Sequence, residues 1–305
     1  MWKFSAVILL CLTSVSAHSQ VLVIYDLDRK TYVEGQQANQ VISIASITKL
    51  ATAMVVIDAD QDLDQKLRVR GSESSNRIHP GMTLTRRELM QLLLITSDNL
   101  AAETLLHHYP GGNKSGLAAM NTLADNIGAK NTVFVDASGI GSANKSTADD
   151  LIRILDRSSR FDIIKQFSNQ DGVEIAIVKS AKKRTWIEKI IGRATNPYAR
   201  DPQSFTTVVA KTGYTRAAGF CLAMIIEIDR RRYALISAGN TSRAARKDSL
   251  DRALSRLSLG QLESLISAGN TSRAARKDSL DRALSRLSLG QLESQFRDDE
   301  HNGLF

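Results

Sequence analysis

Ser46-Ile47-Thr48-Lys49 sets a hydroxyl three residues ahead of an amine, at the head of an apolar stretch. On a helix that spacing places both groups on one face. An amine desolvated among apolar side chains loses basicity and can accept the proton of a serine hydroxyl, which turns the serine into a nucleophile. The chemistry on offer is acyl transfer through a serine ester. The spacing alone is common, because Ser142-Ala143-Asn144-Lys145 and Ser180-Ala181-Lys182-Lys183 repeat it. Its company separates the first match from the others: Ser97-Asp98-Asn99 at a break between two helical stretches, then Lys211-Thr212-Gly213 closing an apolar strand. Lys114-Ser115-Gly116 imitates the last pattern, but within a Gly-rich turn (PGGNKSG) that no strand precedes.

Other chemistries find less support. The 5 His include the adjacent His107-His108, read as a helix end, and no His pair has the i, i+4 spacing with Glu that zinc requires. Neither a G-x-S-x-G elbow nor a Gly-rich phosphate loop occurs, so no metal and no cofactor is expected. Cys221 stands in the apolar run FCLAMII and reads as a small buried hydrophobe.

The elements that must position these residues follow from periodicity. VLVIYDLDRKTYVEG alternates around Asp28-Arg29-Lys30, which predicts an opening β-hairpin. Ile47, Leu50, Ala51, Met54 and Val55 fall at i, i+3, i+4, i+7 and i+8, so a helix buried on most sides runs from Ser46 toward Ala59. Thr85-Arg86-Arg87-Glu88 has capping-box spacing before a second helix, and residues 100–108 give a third. Residues 205–210, 219–228 and 233–236 are strand-like, with Asp229-Arg230-Arg231 as a turn. Hairpin, helices and then antiparallel strands imply an α/β (α+β) fold, an antiparallel sheet flanked by helices with a helical lobe beside it.

With 305 residues, 43% hydrophobic and 24% charged, the chain can bury a full core without disulfides. Its 18 Gly and 4 Pro form no linker that would mark a domain boundary. The net charge of +8 favours anionic partners. Nucleic acid is not expected among them, since the densest basic tract, Lys182-Lys183-Arg184, has only Trp186 beside it. Residues 1–17, MWKFSAVILLCLTSVSA, carry Lys3, an apolar stretch and small residues up to Ala17, which predicts a secretory signal cleaved after Ala17. Leu10 precedes Cys11 where a lipoprotein signal needs a small residue, and no later segment reaches the roughly 17–25 apolar residues of a membrane span. Residues 235–264 and 265–294 are identical, each a strand end followed by an amphipathic helix with Leu250, Ala253, Leu254 and Leu257 on one face in the first copy. One copy completes the fold and the second has no obvious place to dock. The expected organisation is therefore a signal (1–17), one catalytic domain (18–264), a duplicate (265–294) and a polar tail (295–305).

The ordered trio resembles that of penicillin-binding proteins and class A β-lactamases. The stretches IASITKLATAMVVIDA, SDNLAAETLLHHYPGG, FVDASGIGSANKSTADDL and VVAKTGYTRAAGFCLAM narrow it to the low-molecular-mass D-alanyl-D-alanine peptidases, serine peptidase family S11, of the penicillin-binding protein 7 endopeptidase type. The resemblance spans about Val21 to Leu257 and weakens between Ile163 and Asp201. It implies a β-lactamase/DD-peptidase-like fold, Ser46 as the acylated nucleophile and Lys49 as its base. It further implies that Ser97 relays the proton, Asn99 holds the substrate amide, and Lys211, Thr212 and Gly213 pair with the peptide and its terminal carboxylate. Backbone N–H groups of Ser46 and Tyr214 would form the oxyanion hole. The substrate implied is peptidoglycan peptide in the periplasm or cell envelope, cleaved as endopeptidase or carboxypeptidase, with β-lactams as covalent inhibitors. A β-lactamase is the alternative, opposed because Glu103, Glu174 and Glu188 each lack the Leu-Asn that follows a deacylating glutamate. A peptidoglycan-binding relative without turnover is the other alternative.

Overall fold

The computed structural model describes residues 20–181, 184–199 and 205–267, so the expectations for the leader, for 268–294 and for the tail lie outside the described residues. The chain opens with the expected hairpin, β1 (Val21–Asp26) and β2 (Thr31–Gln36). A short β3 (Ile42–Ser43) leads to a 3-10 turn (Ala45–Thr48), and α1 (Lys49–Asp58) continues from it. Ser46 thus sits in a tight turn ahead of the helix rather than in its first α-turn. The strands β4 (Lys66–Arg68) and β5 (Thr83–Thr85) precede α2 (Arg86–Ile95), whose Thr85–Glu88 capping box forms as its spacing predicts.

After α3 (Asn99–His107) comes α4 (Gly112–Asn126). The latter takes in Lys114-Ser115-Gly116, so that imitation lies in the first turns of a helix and not in a loop. There follow β6 (Lys145–Ser146), α5 (Ala148–Ser158), α6 (Asp162–Ser168) and a hairpin of β7 (Gly172–Ala181) with β8 (Arg184–Arg193). The chain closes with β9 (Thr206–Thr215), β10 (Gly219–Ile228), β11 (Arg231–Asn240) and α7 (Arg243–Ser267). β9 extends past Gly213, so Lys211-Thr212-Gly213 lies inside the strand and does not end it.

The main sheet is five-stranded and antiparallel, in the order β2-β1-β11-β10-β9. The opening hairpin and the last strands, far apart in the chain, therefore share one sheet: Val21 pairs with Ala238 and Asp26 with Tyr233. Both faces of this sheet are covered. Cys221, Ala223 and Ile225 face the helical lobe, while Leu222, Met224 and Ile226 face Leu250, Ala253 and Leu257 of α7. A strand buried on both faces needs no polar alternation, which explains the unbroken apolar run FCLAMII. α7 runs on through Ser264 to Ser267, so the join between the two identical copies falls within one helix.

Candidate active site

Ser46 lies where the turn before α1, the break between α2 and α3, and the edge strand β9 approach one another. The apolar residues that give α1 its helical period also seat it: Ile44, Ile47, Leu50 and Met54 are buried. That leaves Lys49, on the first turn of α1, with no exposed surface, while Ser46 stays half-buried. Lys49 Nζ stands 2.8 Å from Ser46 Oγ, 2.7 Å from Asn99 Oδ1 and 2.7 Å from the Ser138 carbonyl oxygen. The amide oxygen and the carbonyl only accept, so a neutral amine donates its two N–H bonds to them and turns its lone pair to the Ser46 hydroxyl. Burial brings the Lys49 amine down to about 7, although the Asp98, Asp136 and Glu73 carboxylates favour its charged form.

The break after α2 aims the second set of residues. Thr96 Oγ1 donates to the Leu92 carbonyl at 2.8 Å, and Ser97 then takes a left-handed backbone, φ +61°. Asp98 is buried and caps α3 by accepting from the Ala101 N–H at 3.0 Å; it also accepts from the Ser75 hydroxyl. Its role is to fix the break that presents Ser97 and Asn99.

β9 supplies the third wall. Lys211 is fully buried, and its Nζ donates to Ser97 Oγ at 2.8 Å and to the Thr212 carbonyl at 2.9 Å. Burial first, then repulsion from Lys49 and Arg246, holds its amine well below the ordinary value. Thr212 Oγ1 donates to Thr195 Oγ1 at 2.7 Å. At Gly213 the strand passes so near the Ser46 turn that an added Cβ would stand 3.0 Å from both Ser46 N and Ala45 Cβ, which accounts for the glycine. Tyr214 is exposed, its ring stacked on Phe220 with centroids 4.2 Å apart. As an edge strand, β9 has one row of backbone N–H and C=O groups that no strand of the sheet pairs.

All the residues of the three motifs thus converge on one cleft. Lys145 Nζ donates to Ser43 Oγ at 2.9 Å, and that hydroxyl donates in turn to the Ser142 carbonyl at 2.8 Å, so the amine is bonded to Ser43 rather than to the Ser142 hydroxyl; Ser180 lies in β7, and Lys183 lies outside the described residues. The structure adds residues that spacing does not reveal. The loop 135–140 brings the Ser138 carbonyl to Lys49, held by the Asp136 carboxylate, which accepts from the Ser138 N–H at 2.8 Å. The Ser138 hydroxyl donates to the Asp136 carboxylate at 3.4 Å, and burial, then Glu103 and Asp136, raise the pKa of the Glu73 carboxyl. Cys221 is buried, with its thiol on the Ala218 carbonyl at 3.3 Å and pushed up to about 11 by burial, the state of an inert core residue. Among the described residues no group of His, Cys, Asp and Glu is arranged to hold a metal, and no helix is long and apolar enough to cross a membrane.

A buried amine on a serine hydroxyl, beside the open edge of a five-stranded antiparallel sheet, defines a serine DD-peptidase type of fold and site. The family model for D-alanyl-D-alanine carboxypeptidase (peptidase S11) matches residues 11–241, and the chain belongs to that family. It is 37% identical over 221 residues to the D-alanyl-D-alanine endopeptidase of Escherichia coli (strain K12), covering 70% of this chain and 69% of that one. Among solved structures, the Streptomyces K15 DD-transpeptidase superposes with a TM-score of 0.69 at 24% identity, over 78% of this chain and 95% of that one. Penicillin-binding protein D2 from Listeria monocytogenes, in its cefotaxime-bound form, gives a TM-score of 0.65 at 24% identity, over 77% and 94%.

Proposed function

We propose that this chain is a serine D,D-peptidase of peptidoglycan that works through an acyl-enzyme on Ser46. Ser46 Oγ attacks the carbonyl of a D-alanyl peptide bond while the neutral Lys49 takes its proton. The backbone N–H groups of Ser46 and Tyr214 receive the oxyanion. The proton taken by Lys49 passes by way of Ser97 to the amine of the departing residue, after which the neutral Lys49 takes a proton from the water that attacks the Ser46 ester and returns it to Ser46 Oγ as the carboxylate leaves. Asn99 holds the substrate amide. The unpaired edge of β9 at Lys211, Thr212 and Gly213 binds the peptide as an added strand, with Lys211 drawn to its carboxylate. The observation that carries this reading is the Lys49 amine, brought to about 7 by burial and 2.8 Å from the Ser46 hydroxyl.

The relatives' names support both cleavage of cross-links and removal of a terminal D-alanine, and β-lactams are the covalent inhibitors this site would take. An envelope location behind a cleaved leader (1–17) and a working domain of 18–264 belong to the same reading. Incubation with a cross-linked muropeptide dimer, and separately with a stem peptide ending in D-alanyl-D-alanine, should give monomer or free D-alanine that Ser46→Ala abolishes. Product that survives in Ser46→Ala would overturn the proposal. Removing 265–294 should leave the melting temperature and this turnover nearly unchanged, because Leu250, Ala253 and Leu257, the buried α7 side chains among the described residues, all belong to the first copy. A collapse of stability would make the duplicate part of the domain.

A further inference from the structure

Asn144 lies outside all three motifs and has no exposed surface, yet its side chain is bonded to both structures that flank Lys49. On one side its Nδ2 donates to Thr48 Oγ1 at 3.0 Å, and Thr48 Oγ1 in turn donates to the Ala45 carbonyl at 2.7 Å. Ala45 precedes the nucleophile and has a left-handed backbone, φ +45°, so this bond holds a strained turn. On the other side Asn144 Oδ1 accepts from the Val135 N–H at 2.8 Å and the Asp136 N–H at 3.2 Å. Its Nδ2 also donates to the Asp136 carbonyl at 3.1 Å and carboxylate at 3.3 Å. Those residues open the loop whose Ser138 carbonyl receives the Lys49 amine. At Gly139 the same loop passes so near Ala45 that an added Cβ would stand 1.8 Å from the Ala45 carbonyl oxygen.

We infer that Asn144 is a positioning residue for proton transfer, locking the Ser46 turn and the Ser138 carbonyl in register so that Lys49 holds its lone pair on the Ser46 hydroxyl. This rests on the reading of Lys49 as the base. Only a side-chain amide satisfies the whole pattern. The Thr48 proton is already spent on Ala45, so a donor must face Thr48, while two backbone N–H groups require an acceptor at the other end. A carboxylate in its place would set like charges beside Asp136.

The charged groups that face Lys49 are Asp98 at the head of α3, Asp136 in the 135–140 loop, Glu73 in the β4–β5 connection and Lys211 on β9. Asn144 carries no charge, so its removal acts on geometry and on the exclusion of water. The test is penicillin acylation of the full chain across pH, separating the acylation rate constant from the dissociation constant of the complex that precedes it, with the folded fraction measured alongside. Asn144→Ala and Asn144→Asp should each slow acylation by at least about ten-fold while initial binding stays within about three-fold. The rising limb of the rate should move to higher pH as water reaches the amine. Thr48→Val should act likewise, and Thr48→Ser should recover most of what Thr48→Val loses; this pair carries the test if Asn144 variants do not fold. Folded variants with the wild-type rate constant and limb would overturn the inference. Wild-type protein acylated at a serine other than Ser46 would instead overturn the proposed function beneath it.

Discussion

Lys49 and Lys211 stand on opposite walls of one cleft, both buried and both within 2.8 Å of a serine hydroxyl. Their electrostatic surroundings have opposite sign. Lys49 sits among the Asp98, Asp136 and Glu73 carboxylates, which offset part of the cost of burial and leave its amine at about 7. The charges acting on Lys211 are Lys49 and Arg246, both cationic, and they add to burial. Burial alone discharges an amine; its neighbours then decide what the discharged amine is suited for. One titrating near neutrality can take and return a proton. One whose charged form is disfavoured by burial and by neighbouring cations gains when an anion arrives, which suits the recognition of a carboxylate.

The most severe way to break this contrast is to remove the base. Lys49→Ala should slow penicillin acylation by about 10³-fold with the circular dichroism spectrum unchanged, because it deletes the proton acceptor and leaves the apolar seat of α1 in place. A loss of less than ten-fold would move the base elsewhere. Lys211→Gln should cost about 10–100-fold in kcat/KM on peptides ending in a free carboxylate, the value of one charge-assisted bond, and much less on the amidated peptide. Equal losses on both would detach Lys211 from the carboxylate.

The two lysines should also respond oppositely to pH. Acylation should rise with pH through about 7, because only the free amine of Lys49 accepts a proton. Affinity for a carboxylate ligand should instead fall as pH rises. Burial, Lys49 and Arg246 lower the pKa of the Lys211 amine in the free protein and a bound anion raises it again, so binding takes up protons at pH values between the two. Calorimetry in buffers of different ionisation enthalpy reads that uptake, and an absence of uptake would erase the distinction. The smallest effect belongs to Glu73→Gln: loss of a carboxylate that favours the ammonium should move the acylation limb to lower pH by less than about one unit. A move to higher pH would contradict the sign assigned to Glu73.

The site was legible to the extent that its chemistry is local. Ser46 and Lys49 share a turn, Ser97 and Asn99 share a helix break, and Lys211 to Gly213 share a strand, so each set leaves a short signature. Their order along the chain then makes a chance match improbable. Ser138 and Asn144 leave none, because a backbone carbonyl can belong to any residue and a buried amide has no fixed spacing from the lysine it serves. Glu73 reaches the cleft from a loop whose path is set by Glu103, which accepts from the Ser72 and Glu73 N–H groups. In the fold, the opening hairpin and the capping box are local and were readable. The pairing of β1 with β11 is a long-range contact and was not. The repeat gives the sharpest case. Leu-Ile-Ser is strand at 235–237, between β1 and β10, and helix at 265–267, at the end of α7. Three residues do not determine their own backbone when sheet partners are present at one position and a preceding helix continues at the other.

The central claim is that Ser46 is the acylated residue, and mapping the adduct tests it most directly. The purified mature chain is mixed with a fluorescent penicillin, digested, and the labelled peptide identified by mass spectrometry, with adduct lifetime followed in parallel. The account predicts one label on Ser46, lasting many minutes and absent in Ser46→Ala. A label on Ser142 or Ser180, or rapid release of opened lactam, would contradict it.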